Sequence, residues 1–473
     1  MKVCKFGGSS LADAAQFRKV IKIILEDPER RIVVVSAPGQ RHPKDVKVTD
    51  LLIRCAEARL AGGTAEAEGA LVLERFAAIQ QELGVEKEIV AEIERDLRQR
   101  LGGDPGQKER FLDSVKALGE DACAKLMAAA LRQQHVHAQY VNPSEAGLLL
   151  SAEYGNAQLL PESYEKLATL KARPGILVIP GFFGYTRTGQ VVTFPRGGSD
   201  ISGAVIAAAV RADIYENFTD VDCVFAADPR LVPNAAPIEE LTYREMRELS
   251  YAGFTVIHDE AIVPVVEAGI PIWIRNTNRP EAPGTRIVPE RRFVPGRVVG
   301  IASDDGFCTI FLEKYLMNRE VGYGRRLLQI LEEEGLSYEH CPSGIDNLSV
   351  ILREDNLDSA TKKRLLRRIK TELKPDDVDI ERGLALIMIV GEGMRYTVGL
   401  AARATQALAD AGVNIEMMNQ GSSEISMMFG VKAVDRHRAV VSLYRAFFEE
   451  GSGRGRRGKT AAQGAQPDQR GAS

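Results

Sequence analysis

Val192-Thr193-Phe194-Pro195-Arg196-Gly197-Gly198-Ser199-Asp200, running on into Ile201-Ser202-Gly203-Ala204-Val205-Ile206-Ala207-Ala208-Ala209-Val210, is the stretch around which the chain is organised. A short apolar run ends in Pro-Arg, two glycines turn the backbone, and Ser-Asp opens a helix of small residues. Adjacent glycines reach φ > 0 at little steric cost, so their N–H groups can converge on an anion. Ser199 or Asp200 is placed to cap the helix, whose N-terminus carries partial positive charge. Arg196 adds a planar fork that matches a carboxylate or a phosphate. Taken alone, the same letters also spell an ordinary turn before a capped helix. The rest of the chain decides between them.

The 473 residues imply roughly three domains of 100–200 residues each. With 45% hydrophobic and 27% charged residues and a net charge of −4, the composition is that of a soluble globular protein. It gives no reason to expect a nucleic acid or a membrane as partner. Met1 is followed at once by the strand-like Lys2-Val3-Cys4-Lys5-Phe6, without the apolar core of a signal peptide. No apolar run approaches the roughly 18–20 residues that span a bilayer. The six cysteines are scattered and form no C-x-x-C pair, which favours reduced, mostly buried thiols in a cytoplasmic protein over disulfides or a metal site. His135-Val136-His137 lacks neighbouring Cys or carboxylates and reads as surface or core histidine. No metal site is expected.

Val3–Phe6 reads as a buried strand and Gly7-Gly8-Ser9-Ser10 as a tight turn. A helix with apolar Phe17, Val20, Ile21 and Ile24 follows, then the β-branched run Ile32–Ala37. The chain thus opens β–turn–α–β, a right-handed crossover unit. Helical patterns dominate to about residue 135. Further strands are expected at Ala138–Val141, Ile176–Ile179, Val191–Phe194, Asp213–Asn217 and Pro271–Arg275. Their alternation with helices predicts an α/β fold with one open, mostly parallel sheet covered by helices on both faces. Ligands of such sheets sit beyond the carboxyl ends of the strands. Polar or glycine-rich turns fall at those ends: Lys5–Ser9, Pro180–Gly184, Arg196–Asp200 and Thr219-Asp220-Val221-Asp222.

With these residues in this order the chain resembles the amino-acid kinase family and, within it, aspartate kinases, over nearly its whole length. The matching segments are Lys5-Phe6-Gly7-Gly8-Ser9-Ser10, Val34-Val35-Ser36-Ala37 with Thr49, Gly119-Glu120, Gly181-Phe182-Phe183-Gly184, Arg196–Asp200, Thr219-Asp220-Val221 and Asp228-Pro229-Arg230. The resemblance implies transfer of the γ-phosphoryl group of ATP, with Mg²⁺, to the side-chain carboxylate of L-aspartate. It implies that Lys5, Arg196 and Asp200 are catalytic, with Asp200 orienting Lys5. Arg196 would take the α-carboxylate and Glu120 the α-ammonium, with Ser36, Thr49, Phe183 and Ser199 around them. Phe6, Gly7, Gly8, Ser9, Thr219, Asp220, Phe225, Arg230 and Thr255 would flank the nucleotide. Such chemistry suits these residues: phosphoryl transfer needs alignment and charge neutralisation, and a carboxylate nucleophile is already ionised at neutral pH.

There are departures. Thr255 stands where a lysine is common, Asp259 follows His258 in place of the usual proline, Phe225 replaces a common tyrosine, and Cys223 replaces glycine. The first three match a subgroup in which Glu245–Phe254 precedes a small hydroxyl residue, the monofunctional lysine-sensitive type. An enzyme of the same family acting on another small carboxylate, or a catalytically silent amino-acid sensor, are the alternative readings.

Arg275 to Gly296 carries prolines and glycines and reads as the exit from a catalytic domain spanning 1–290. Two similar halves follow. The first reads strand (Cys308–Leu312), helix (Gly324–Glu334), strands (Leu336–Cys341 and Asn347–Leu352), helix (Ser359–Leu373) and strand (Val378–Glu381). The second reads strand (Ala385–Val390), helix (Val398–Ala411), strands (Asn414–Met418 and Ile425–Val431) and helix (Arg436–Phe448). This βαββαβ order is ferredoxin-like and resembles paired ACT regulatory domains, at 301–382 and 383–450. The second half lacks its last strand, and the surplus strand Arg297–Ile301, within 291–300, is expected to supply it, so that the two ACT domains interleave.

Effector-binding candidates are Met317, Asn318, Gly322, Tyr323 and Gly324, opposite Ser343, Gly344, Ile345 and Asp346, with Gln420–Glu424 as the corresponding turn of the second half. Lysine, alone or together with threonine, is the expected effector, acting through a homodimer or tetramer built on the ACT domains. The tail 451–473 contains Gly453-Arg454-Gly455-Arg456-Arg457-Gly458-Lys459-Thr460, a letter-for-letter phosphate loop. That motif works only between a strand and a helix. In a basic segment with no apolar core it is expected to be disordered and without that function.

Overall fold

A computed structural model describes residues 1–254, 257, 260–421, 423 and 425–449. Thr255, Val256, His258, Asp259, Ser422, Glu424 and the tail with its phosphate-loop look-alike lie outside the described residues. The chain divides into two units. The first takes Met1–Val224, Pro237–Tyr251 and the stretch ending at Arg292; the second takes Phe225–Ala236, Ala252–Phe254 and the described chain from Phe293 onward.

In the first unit, Val3, Cys4 and Phe6, with Ile32–Val35, are almost wholly buried, as strands covered on both faces must be. They form β1 (Lys2–Phe6) and β2 (Arg30–Val35), parallel and joined through α1 (Ala14–Leu25), whose Asp13 cap accepts the Gln16 N–H. A run of helices follows: α2 (Val48–Leu60), α3 (Glu66–Leu83), α4 (Glu88–Leu101), α5 (Lys108–Lys116) and α6 (Leu118–Gln133). Next come β3 (Ala138–Tyr140), α7 (Pro143–Ala146), α8 (Glu162–Ala168), β4 (Ile176–Pro180), β5 (Phe183–Tyr185), β6 (Val191–Thr193), α9 (Gly198–Val210) and β7 (Ile214–Thr219). Two-residue strands β8 (Val224–Phe225) and β9 (Pro237–Ile238) precede β10 (Glu240–Thr242), α10 (Tyr243–Tyr251), α11 (Val263–Glu267), β11 (Ile272–Asn276) and β12 (Thr285–Val288).

Among the described residues the main sheet has eight strands in the order β10-β12-β11-β7-β1-β2-β4-β3. It is parallel from β11 to β3, and β12 runs antiparallel to β11. β1 sits where the order reverses, with β2 on one side and β7 on the other, so the crevice lies beyond its carboxyl end.

One strand is misplaced by the sequence. Val191–Thr193 is not part of the main sheet but pairs with β5 in an antiparallel ribbon, Phe183 opposite Thr193. A short connection closes it, with Gly189 at φ +78° and the Thr186 N–H bonded to the Gln190 carbonyl, and so short a link makes a hairpin rather than a crossover. The Arg196 turn therefore leaves a ribbon, not a sheet strand.

The second unit contains β13 (Gly300–Glu313), α12 (Tyr323–Glu333), β14 (Asn347–Arg353), α13 (Ser359–Glu372), β15 (Asp377–Val390), α14 (Leu400–Asp410), β16 (Met417–Asn419), β17 (Ser426–Lys432) and α15 (Arg436–Tyr444). Its five described strands form one antiparallel sheet, β14-β13-β15-β17-β16. Cys308, Ile310 and Leu312 of β13 and Val378 and Ile380 of β15 pack against Leu327, Ile330 and Leu331 of α12 and Leu365 and Ile369 of α13.

Two pairs of expected strands are each one long strand here. Gly300–Asp304 pairs with Leu386–Val390, and Phe307–Glu313 with Asp377–Leu384, so each strand serves both halves. Where the expected strands were separate, the register shifts between Asp304 and Phe307, around Gly306 at φ +81°, and again between Phe307 and Cys308, beside Gly383 of β15 at φ +78°. Leu336–Cys341 is not a strand. Only isolated bridges, His340 to Ile351 and Ser343 to Leu348, run along β14, because Pro342 has no N–H for a ladder. Phe225–Ala236, expected inside a 1–290 catalytic domain, groups with the second unit. The Ala226 carbonyl accepts the Ile301 N–H at 2.7 Å, and the Ala236 N–H reaches the Tyr444 hydroxyl at 2.8 Å. No helix among the described residues is long and apolar enough to cross a membrane.

Candidate active site

Beyond the carboxyl ends of β1, β2 and β7 lies a cavity of about 960 Å³ in the first unit. It collects Lys5, Gly8 and Ser9 from the first strand and turn, Ser36 and Thr49, Glu120 from α6, Arg196, Ser199 and Asp200 from the opening stretch, and Asp220 after β7. At its centre is an ion pair, with Lys5 Nζ 2.6 Å from Asp200 Oδ1. The same oxygen accepts Asn217 Nδ2 at 2.8 Å.

The helix that carries Asp200 is capped by Gly197 at φ +81°, not by the Ser199 or Asp200 side chain. Ser199 and Asp200 lie inside the first turn, where a carboxylate is favoured by the helix dipole. Gly198 is required for closeness rather than for φ: a Cβ there would lie 2.7 Å from Phe182 Cδ2 and 2.8 Å from Phe194 Cβ. Phe182 itself sits at φ +71°, a strained conformation for a bulky residue of the kind that clusters at functional sites. It is held by its N–H to Ser202 Oγ and by its carbonyl to the Phe194 N–H.

Glu120 is only 4% exposed, and its Oε2 has no hydrogen-bond partner. Burial pushes its carboxyl up to about 8, against the opposing pull of the Ala37 N–H and the Lys116 charge. Lys116 is itself paired with buried Asp113 at 2.8 Å. A carboxyl that is buried, half unpartnered and open to a cavity is a socket for a cation.

Other expected residues fall elsewhere. The Phe6 ring is buried and stacked on Phe218 at 4.7 Å. The Gly7 N–H is bonded to the Phe218 carbonyl at 3.2 Å, so it is not free for a phosphate. Phe183 is buried beside Tyr185, and its neighbour Phe182 lines the cavity instead. Thr219 donates to Asp220 Oδ1. Phe225 and Arg230 belong to the second unit, where exposed Arg230 pairs with Asp228 at 2.8 Å. Thr255 lies outside the described residues.

Sequence reasoning missed the loop between β2 and α2, from which Pro38, Gly39, Gln40, His42, Pro43 and Lys47 line the cavity. Its signal was the long polar and basic interval between Ala37 and Thr49. Buried Arg75 holds this loop from below, reaching the Gly39 carbonyl at 2.9 Å and Asp45 at 2.6 Å. Gly39 packs so closely on Gly8 that a Cβ would lie 2.6 Å from the Gly8 carbonyl carbon.

In the second unit, Asp346 ties the two candidate effector segments together. Its backbone carbonyl accepts the Lys314 N–H, and its Oδ1 accepts the Leu316 N–H at 2.9 Å. Gly322, at φ +80°, caps α12, which Tyr323 opens and Gly324 follows. Met317 and Tyr323 are buried, the Tyr323 hydroxyl without a partner, while Asn318 and Ile345 are exposed. Ser343 and Gly344 line a separate cavity of about 510 Å³ with Thr309, Glu416 and Lys432. The candidates therefore divide between two places.

The cysteines described here are all free, and burial raises the thiols of Cys4 and Cys123 well above their usual range and those of Cys55, Cys223 and Cys308 to about 11.

Residues 1–276 match the amino acid kinase family and residues 387–447 an ACT domain. The chain is 56% identical over 448 residues to aspartokinase 3 of Bacillus subtilis (strain 168), across 95% of this chain and 99% of that one. The crystal structure of aspartate kinase from Clostridium acetobutylicum matches with a TM-score of 0.86 at 39% identity, covering 94% of this chain and 100% of that one. E. coli aspartokinase III in complex with aspartate and ADP shares the fold, with a TM-score of 0.74 at 24% identity over 95% of this chain and 100% of that one. These counterparts run nearly the full length of the chain, which belongs to the amino acid kinase family, in its ACT-bearing aspartokinase branch.

Proposed function

We propose that this kinase transfers the γ-phosphoryl group of ATP to the side-chain carboxylate of L-aspartate, giving 4-phospho-L-aspartate and ADP. The observation that carries the proposal is the meeting, in one cavity, of the Lys5–Asp200 pair with the buried, unpartnered carboxyl of Glu120 and the guanidinium of Arg196. An aspartate substrate brings three charges: Arg196 takes the α-carboxylate, Glu120 the α-ammonium, and the side-chain carboxylate is left facing Lys5. Charge-assisted contacts of this kind fix orientation as well as affinity. Lys5 neutralises charge on the transferring phosphoryl group, and Asp200 holds its ammonium in place. The nucleophile arrives ionised, so no base is needed. Asp220, a hard oxygen donor lining the cavity, would help to hold a Mg²⁺ brought in with ATP, which would supply neutralisation of phosphate charge. Glu120→Gln and Lys5→Met should each lower activity, the first through KM for aspartate and the second through kcat.

The same reading makes the product the entry to the aspartate-derived amino acids, lysine, threonine and methionine. Lysine is the inhibitor, with threonine the competitor to test, bound at the second unit in an assembly of two or four copies. Tyr323, buried with a free hydroxyl, and the Asp346 link between the two loops support a ligand there. The test is ADP release with ATP and Mg²⁺ against L-aspartate, L-glutamate and N-acetyl-L-glutamate. Hydroxylamine is included to trap the acyl phosphate, and lysine and threonine are titrated in. Folded protein with no aspartate-dependent turnover, or with a faster rate on another acid, overturns the substrate. Saturating lysine that moves neither rate nor KM overturns the effector.

A further inference from the structure

β7 reads Ile214-Tyr215-Glu216-Asn217-Phe218-Thr219 and lies beside β1 in the middle of a sheet covered on both faces. Asparagine is depleted in strands, and burying its amide is costly unless it is hydrogen-bonded. Asn217 is nevertheless only 5% exposed. A local rule broken in the core, with no packing reason for it, points to function.

We infer that Asn217 is a positioning residue that fixes the carboxylate of Asp200 and, through it, the ammonium of Lys5. Lys5 and Asn217 are register partners across β1 and β7. Both converge on Asp200 Oδ1, Lys5 Nζ at 2.6 Å and Asn217 Nδ2 at 2.8 Å. Two residues earlier on the same face of β7, the Tyr215 hydroxyl reaches the Asp200 backbone carbonyl at 3.2 Å. The strand thus grips Asp200 by main chain and side chain together. With Oδ1 taken by two donors from neighbouring strands, the carboxylate cannot turn about its last torsion, and Oδ2 is left for the cavity that Asp200 lines. Without the amide, one bond to a flexible lysine remains, and both groups gain freedom to move as a pair. Alignment is what phosphoryl transfer depends on, and a misplacement of about 1 Å costs on the order of a hundredfold in rate.

The inference rests on the proposed role of Lys5, and the experiment separates the two. Asn217→Leu, which keeps the branched shape and heavy-atom count but removes the amide's hydrogen bond, should lower kcat about tenfold or more while the KM values for aspartate and ATP stay within about threefold. Asn217→Asp supplies the sharper readout. Ionised, the introduced carboxyl repels Asp200; protonated, it donates a hydrogen bond as the amide does. Its kcat at saturating substrates should therefore rise as pH falls from 8 to 6, relative to the unmodified enzyme. A purely structural role would not reverse a pH profile. Asn217→Leu with unchanged kcat, or a change confined to KM, overturns the inference. Should that variant fail to fold, an Asn217→Asp profile parallel to that of the unmodified enzyme overturns it. Lys5→Met run alongside tells the two failures apart: loss of activity there with a normal Asn217→Leu refutes the inference alone, and full activity there refutes the role of Lys5 beneath it.

Discussion

If Glu120 takes the α-ammonium as proposed, aspartate binding is a proton-releasing event. In the free protein, burial holds its carboxyl at about 8, so at pH 7 roughly one molecule in eleven carries the charge that an α-ammonium requires. Binding must draw on that fraction, and apparent affinity falls by 1 + 10^(pKa − pH). KM for aspartate should therefore drop about ninefold between pH 6 and 7 and about fivefold more between pH 7 and 8. Calorimetry in buffers of different ionisation enthalpy should count about 0.9 proton released per aspartate bound at pH 7 and about 0.5 at pH 8. The stability of the free protein carries the opposite sign. An unfolded Glu120 ionises near 4.5, so from there to about 8 the unfolded state sheds a proton that the native state keeps. This group's contribution to stability therefore falls as pH rises through that window. Glu120→Gln removes the penalty, and should be more stable than the parent at pH 8 by a few kcal/mol, up to about 5, while binding aspartate poorly and without pH dependence. A flat KM profile together with no proton release would refute the assignment of Glu120 to the ammonium.

Three further perturbations bear on the site and its support. Arg196→Ala should raise KM for aspartate about 10–100-fold, the worth of a charged hydrogen bond of roughly 1.5–3 kcal/mol, and leave KM for ATP nearly unchanged; equal effects in steady-state kinetics would contradict its role. Gly198→Ala puts a methyl 2.7 Å from Phe182 Cδ2, so differential scanning should show about 1–3 kcal/mol of overpacking and the assay a lower kcat, whereas a silent variant would mean the turn has slack. Glu216 is held below its usual range because, although burial alone would raise it, Arg30 and Arg275 hydrogen-bond its charged form. It thus contributes stability above the ordinary carboxylate range that is lost as pH falls through its native pKa. Glu216→Gln should cost about 3–5 kcal/mol at pH 7 and flatten the acid limb of stability in denaturant titrations below about pH 4.5; an unchanged limb would assign that limb to other carboxylates.

What the sequence disclosed depended on whether a signal was local. β2 was legible because a buried parallel strand reads as a β-branched run, β1 because a short strand-like stretch runs straight into a glycine turn, and the Arg196–Asp200 segment as a turn because of its paired glycines. The partner of a strand is not local. Val191–Thr193 has the composition of a sheet strand, and only the short link to Phe183–Tyr185 makes it a ribbon. Gly306 and Gly383 have the positive φ of turn glycines, yet they sit at successive register shifts within two continuous strands, β13 and β15. Gly7 was expected beside the nucleotide, yet its N–H is taken by the Phe218 carbonyl of β7, a neighbour that only the fold supplies. The burial of Glu120 was equally hidden, since Gly119-Glu120-Asp121 reads as an acidic helical turn; what buries it comes from other parts of the chain. The loop from Pro38 to Lys47 was missed because nothing in its letters shows that Arg75, some thirty residues on, holds it against the site.

The polar residues of β1 and β7 are better understood as one device than as two. Cys4 pairs with Glu216 and Lys5 with Asn217 in consecutive register, and alternation along the strands puts the two pairs on opposite faces. On one face Glu216, fully buried, accepts Arg30 at 2.7 Å and 3.0 Å and Arg275 at 3.0 Å, with the Cys4 thiol at 3.2 Å. The two guanidiniums also lie over the Phe218 ring, at 5.5 Å and 5.3 Å from its centroid. On the other face Lys5 and Asn217 meet at Asp200. A slip of one residue between these strands would carry Glu216 to the wrong face, leave buried Arg30 and half-buried Arg275 without their carboxylate and separate Lys5 from Asn217. Apolar side chains could fill the same volume with less desolvation, but they would tolerate that slip; a buried carboxylate between two guanidiniums does not. The ion cluster therefore stabilises the register on which the active face depends, and Glu216→Gln, although its side chain points away from the cavity, should lower kcat along with Tm.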